Sequence, residues 1–216
     1  MSSSASERCG GRWRLALMLA MLAAAGCGLA DYEAKQEEAQ KQLDLFDKFK
    51  KDFEEPLRMP EAAKENDWPD VFLLPPKGLA TTPDDTPFKG LFYFYSSKGG
   101  NDAKVARLYL GWAGKEKDFR ATVLKWFGKG KVATYRTVPR DEREPIKLER
   151  ITVQDKAETF FIYFGPRQQV VLIFQVPQST AEPPTVVRES LNTLALGREA
   201  RDALREYKKR FKDAHP

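Results

Sequence analysis

The sequence predicts an α+β fold: an antiparallel sheet of four to six strands with a crossing helix and C-terminal helices, preceded by an N-terminal amphipathic helix. Three observations predict it. Between residues 91 and 176, short apolar and aromatic runs alternate with turns bearing glycine and proline, the pattern of antiparallel hairpins. Phe119, Val123, Trp126 and Phe127 recur instead at helical spacing and stop at Gly128, a residue suited to a C-cap. After Pro183-Pro184, Val187, Leu191 and Leu194 repeat at four and three, and proline is welcome in a first helical turn.

The elements follow in order. From Asp31 to Leu57 the chain is rich in Glu, Lys and Gln, and Ala39, Leu43, Phe46, Phe49, Phe53 and Leu57 fall on one helical stripe. Pro56 and Pro60 stop it. That stripe either packs on the protein's own domain or stands free as a partner-binding stalk. Residues 61–90 read as a proline-rich linker with a strand at Val71 to Leu74, ended by Pro75-Pro76 and a turn at Lys77-Gly78. Leu91 to Tyr95 and Lys104 to Trp112 are strands joined by turn chemistry around Gly99-Gly100-Asn101-Asp102. In the second of them Ala106, Leu108, Leu110 and Trp112 share one face, opposite Val105, Arg107 and Tyr109, and one of these faces is expected to be core. Ile146 to Val153 is a further strand. Glu158 to Phe164 and Gln169 to Val176 form the strongest hairpin, apolar enough for both strands to be central. Gly197 breaks the terminal helical region, and residues 198–216 form a last amphipathic helix whose charges read as a solvated face. The α+β domain is thus expected over 91–197, after a tether at 27–60.

The first 26 residues read as an export signal. Arg8, Arg12 and Arg14 form a basic region, Leu15 to Ala25 form an apolar run, and small residues lead into Cys27. That run is shorter than the roughly 20 residues needed to span a bilayer. Ala24-Ala25-Gly26-Cys27 resembles the lipobox of bacterial lipoproteins, with Ala24 where the family prefers leucine. The resemblance implies cleavage before Cys27 and acylation of its thiol and new amino group, which would anchor the chain in a membrane. An ordinary signal peptidase site after Ala25 is the alternative. Gly28, rather than aspartate, favours an outer over an inner membrane in a host that has both. Cys9 would be lost with the signal, leaving no internal disulfide and a thiol better explained as an anchor.

Without residues 1–26 the formal net charge falls from +5 to +3, because three arginines and one glutamate are lost. A mildly basic surface of mixed charge does not suggest nucleic acid as a partner. The chain's only histidine, His215, lies next to the C-terminus, which argues against zinc and against Ser-His-Asp chemistry. Asp84-Asp85 and Asp141-Glu142 with Glu144 lack calcium-loop spacing and read as solvated turns. Gly128-Lys-Gly-Lys131 lacks the phosphate-loop pattern and follows a helix rather than opening one. No cofactor and no catalytic residue is expected. The aromatic strands leave one candidate binding groove, at Tyr93, Tyr95 and Tyr109, whose hydroxyls tolerate water.

The order of elements, with Pro76-Lys77-Gly78 after the first strand and Glu189-Ser190-Leu191 on the helix after the last hairpin, resembles the PsbP-like α/β/α sandwich over Trp68 to Leu196. That resemblance implies an accessory or assembly factor without a catalytic site. The expected protein is therefore a lipid-anchored, non-catalytic envelope module with an envelope protein as partner. A carrier of small ligands or lipids with an aromatic pocket is the alternative, and an envelope hydrolase using paired carboxylates is a third reading.

Overall fold

A computed structural model describes residues 32–37, 40, 47, 51–57, 69–81, 88, 91–96, 104–113, 118–139 and 143–213, without the side chains of 80–81, 91–96 and 210–213. By internal contacts the chain divides into residues 1–50 and 51–216. In the first unit, residues 32–37 are helical and exposed.

The second unit is built on one sheet. Its strands are β2 (Leu79–Thr81), β3 (Leu91–Ser96), β4 (Arg107–Trp112), β5 (Lys131–Arg136), β6 (Lys147–Gln154), β7 (Thr159–Phe164) and β8 (Val170–Val176). They lie in the order β2-β3-β4-β8-β7-β6-β5, every pair antiparallel. Five strands from β4 to β5 form the body, within the expected four to six, and β3 and the three-residue β2 extend one side. The order is two meanders, β2-β3-β4 and β5-β6-β7-β8, set side by side. Because β4 sits beside β8, the chain must pass from β4 to the far edge before β5 begins, and α1 (Phe119–Phe127) makes that crossing. After β8, α2 (Thr185–Asn192) lies on the sheet's other face. The chain then forms β9 (Ala195–Leu196), which pairs with β1 (Val71–Phe72), and ends in α3 (Arg198–Asp213).

Side-chain alternation divides the core between the two faces. Phe119, Val123 and Phe127 of α1 pack on Tyr109, Ile151, Ile162, Phe164, Val171 and Ile173. Val187 and Leu191 of α2 pack on Leu108, Leu110, Leu148, Phe161, Tyr163, Leu172 and Phe174. Both faces of β4 are therefore core, not the single face its alternation suggested, because helices cover the sheet on both sides. β7 and β8 are central and almost wholly buried, as their composition predicts.

Four features differ from the sequence reading. β2 was not expected, since Leu79–Thr81 lies in the stretch read as linker after the turn at Lys77-Gly78. The helical stripe of residues 31–57 does not run to its end. Phe53 instead makes an antiparallel bridge to Pro76, and Phe53 and Leu57 are both buried in the second unit. Ala39, Leu43, Phe46 and Phe49 lie outside the described residues. β5 was not expected, since its Lys and Arg ends and mostly exposed residues hide an edge strand. Nor was β9, where Leu194, Ala195 and Leu196 leave the helix instead of continuing it.

The turn at Pro76-Lys77-Gly78 and the helix bearing Glu189-Ser190-Leu191 are both held by polar contacts. Gly78 takes φ +86°, open to glycine, and donates its N–H to the Glu54 carboxylate at 2.8 Å. The buried Ser190 hydroxyl donates to the Leu74 carbonyl at 2.6 Å. Thr193 accepts from the Leu74 N–H at 2.9 Å and donates to the Ser190 carbonyl at 2.7 Å. Ser190 is a clasp between α2 and the segment after β1, with no exposed oxygen for chemistry.

Candidate functional site

The α1 face of the sheet carries a surface that is aromatic in the middle and polar at its rim. Its geometry follows from strand register. Tyr109 of β4 stands opposite Ile173, and Arg107 opposite Gln175, which in turn stands opposite Phe160 of β7. α1 brings Trp126 and Phe127 over this end of the sheet, and Phe88 completes the group. The Phe88 ring lies 4.8 Å from Phe127, 5.3 Å from Trp126 and 5.5 Å from Tyr109, the last edge-on. Phe127 reaches Phe160 at 5.1 Å. Centroid separations of this size and tilted rings are the favourable arrangement for aromatic quadrupoles. Tyr109 is 2% exposed, whereas Phe88, Trp126 and Phe160 are half-buried, so the cluster is rooted in the core and open on one side.

The rim is a chain of hydrogen bonds. Arg107 Nη1 lies 3.5 Å from the Tyr109 hydroxyl, which lies 3.3 Å from Gln175 Oε1. Gln175 Nε2 donates to the Glu158 carboxylate. An arginine and a carboxylate thus bracket the aromatic patch through neutral groups. At the other end of α1, Arg120 grips Glu149 of β6 by Nη2 at 2.6 Å and Nε at 3.1 Å, and the same guanidinium lies over the Phe164 ring, 6.0 Å from its centre. The hydrogen bond to Glu149 raises the Arg120 pKa further, and this bidentate pair fixes the start of α1 on the sheet.

Of the groove expected from the sequence, Tyr109 is buried and its hydroxyl is engaged in the rim rather than offered to water. The register sets Tyr93 opposite Tyr109 and Tyr95 opposite Arg107, so the three tyrosines occupy neighbouring positions on one face. The side chains of Tyr93 and Tyr95 lie outside the description. Phe88, Arg107, Glu158 and Gln175 were not anticipated, because register brings them together from segments far apart in sequence. Cys27, Asp84, Asp85, Asp141, Glu142 and His215 lie outside the described residues. Glu144 is exposed. Lys129 is exposed between Gly128, which takes φ +84°, and Gly130, which meets β6, so this stretch leads into β5. Among the described residues no three His, Cys, Asp or Glu side chains gather as metal ligands, and no helix is long and apolar enough to cross a membrane.

No protein-family model, curated protein or solved structure matches this chain.

Proposed function

We propose that this chain is a non-catalytic, lipid-anchored protein of the cell envelope, held to its membrane through Cys27, whose α+β domain acts as an interaction or accessory module. The observation that carries the binding role is the half-buried aromatic cluster of Phe88, Trp126 and Phe160, rooted on Tyr109 and Phe127 and rimmed by Arg107, Gln175 and Glu158. Aromatic groups bracketed by polar side chains are the usual composition of a binding hot spot. The layering of α1, sheet and α2 supports the same reading, since it is the layout that the PsbP-like resemblance implies. The anchor rests on the lipobox-like run ending at Cys27.

Two measurements test the two halves. Full-length protein and Cys27→Ser, made in a bacterial host, are compared by intact mass and membrane fractionation. The parent is expected to gain acyl mass and sediment with membranes, and the variant to do neither; identical behaviour would end the anchor. A photocrosslinker at Trp126 should then capture an envelope protein that the same probe at Val138, which is 68% exposed, does not. A carrier of small ligands or lipids would use the same aromatic surface, and native mass spectrometry would show it as a retained ligand lost on Trp126→Ala.

A further inference from the structure

The opposite face of the sheet holds a polar cluster that the aromatic surface does not use. The ladder places Arg150 of β6 directly opposite Tyr163 of β7, on the side that packs under α2. Tyr135 of β5 stands diagonally across from Arg150, its ring edge-on to Tyr163 at 5.5 Å. The Arg150 guanidinium gives Nη1 and Nη2 to the Glu182 carboxylate at 2.8 and 3.3 Å. Its Nε–H and the Tyr163 hydroxyl are buried, and neither has a hydrogen-bond partner among the described residues. Buried donors are nearly always satisfied, so two left open beside one ion pair call for an explanation.

The two partners of that pair are held very differently. The Arg150 side chain is 13% exposed and built into the sheet, whereas Glu182 is 74% exposed and rides on the loop between β8 and α2. That loop is pinned upstream by the buried Thr159, whose hydroxyl donates to the Gln178 carbonyl and accepts from the Thr180 N–H, each at 2.9 Å. Downstream come Pro183 and Pro184. The Arg150 hydrogen bond, together with the charges of Arg150, Lys131 and Arg188, holds the Glu182 carboxyl below its ordinary range. Three cations therefore act on one exposed carboxylate while the donors behind Arg150 are unfilled.

We propose that Arg150 and Tyr163, backed by Lys131 and Arg188, form a binding site for the carboxylate of a small organic acid, and that Glu182 is its internal occupant. Glu182 shows which chemistry fits, because a planar carboxylate already meets the guanidinium fork with two bonds. Tethered in its loop, Glu182 reaches only the outer, Nη1–Nη2 edge. On this proposal a free carboxylate, unlike the tethered one, takes the Nε–Nη2 edge and accepts the Tyr163 O–H, giving partners to both open donors. Ligand and Glu182 compete for one guanidinium, so affinity is set by how readily the loop gives way. The site lies on the face away from the aromatic surface and stands whether or not that surface binds a partner.

The test is a titration of the isotope-labelled full chain with acetate, and separately with inorganic phosphate, at constant ionic strength, reading the Arg150 Nε–H signal by NMR. The signal is assigned by its disappearance in Arg150→Lys. Glu182→Ala is expected to show a saturable acetate response with at least ten-fold higher affinity than the parent. Tyr163→Phe, combined with Glu182→Ala, should weaken that response several-fold with the fold retained. Equal affinity in parent and Glu182→Ala would overturn the proposal, as would a response that never saturates. A stronger response to phosphate than to acetate would overturn the assignment to a carboxylate. Should Arg150→Lys fail to fold, the signal is assigned by through-bond correlation, and the comparison of parent, Glu182→Ala and the double variant decides the matter.

Discussion

Ser190, Thr193 and Tyr163 show how differently buried hydroxyls can be used. Ser190 and Thr193 close two hydrogen bonds to Leu74, across more than a hundred residues of sequence. Ser190→Ala leaves the Leu74 carbonyl buried without a donor, and a loss of about 1–3 kcal/mol in urea unfolding is expected. Thr193→Ala removes the neighbouring acceptor, so the double variant should lose less than the two single losses together, because they share partners. Tyr163 is the opposite case: its hydroxyl is buried with no partner among the described residues. Tyr163→Phe should raise stability by about 1 kcal/mol, as deleting an unsatisfied group removes its desolvation cost. An unchanged or lowered midpoint would mean that the hydroxyl has a partner in solution. At this scale the sequence was only partly informative. The motif around Ser190 was visible, but neither its partner nor the pairing of Arg150 with Tyr163 could be read without the register.

Among the elements, those with strong periodicity were legible. α1 ends where Gly128 places it, although it starts at Phe119 rather than at Glu116 as its spacing suggested, and the hairpin of β7 and β8 turns at Gly165 to Gln168. β5 escaped notice because an edge strand buries little, and Lys131 and Arg136 at its ends resemble loop composition. A signal was nevertheless present in Gly130. A Cβ there would run into the Thr152 carbonyl oxygen and stand 2.8 Å from Val153, so the position tolerates only glycine where β5 closes on β6. Gly130→Ala is expected to cost about 1–3 kcal/mol in unfolding free energy and to speed hydrogen exchange in β5 before the rest of the sheet. Full retention of exchange protection would refute that close approach. Phe53 and Leu57 were misread for the converse reason. Their spacing fits a helical stripe, but Pro56 cannot donate within a helix, and the chain runs extended there beside residues 73–76.

For the molecule as a whole, the α+β class was legible in the alternation of strands and helices, whereas the covering of both sheet faces by helices and the strand order were not, since pairing β4 with β8 depends on where α1 crosses. The buried aromatic hydroxyls give the assembled fold a characteristic response to alkali. Burial pushes the pKa of Tyr163 and Tyr135 upward, and burial with the Glu55 charge pushes that of Tyr207 up to about 12. A group whose pKa is higher in the folded state stabilises the fold below its unfolded value, here 10.0, and this contribution is lost as pH rises above it. Unfolding free energy should therefore fall steadily above about pH 10, with a fraction of the tyrosinate absorbance appearing only as the protein unfolds. Full tyrosine titration in the folded state would contradict this. The clasp formed by residues 52–57 has a mechanical meaning as well. Asp52, Glu54 and Leu57 bond by their backbones to Lys77, Pro75 and Leu73, so a pull on the chain from its amino-terminal side loads these bonds before it reaches the sheet. They act as a sacrificial fuse, peeling one at a time under tension and sparing the layered core from the first shocks transmitted along the chain.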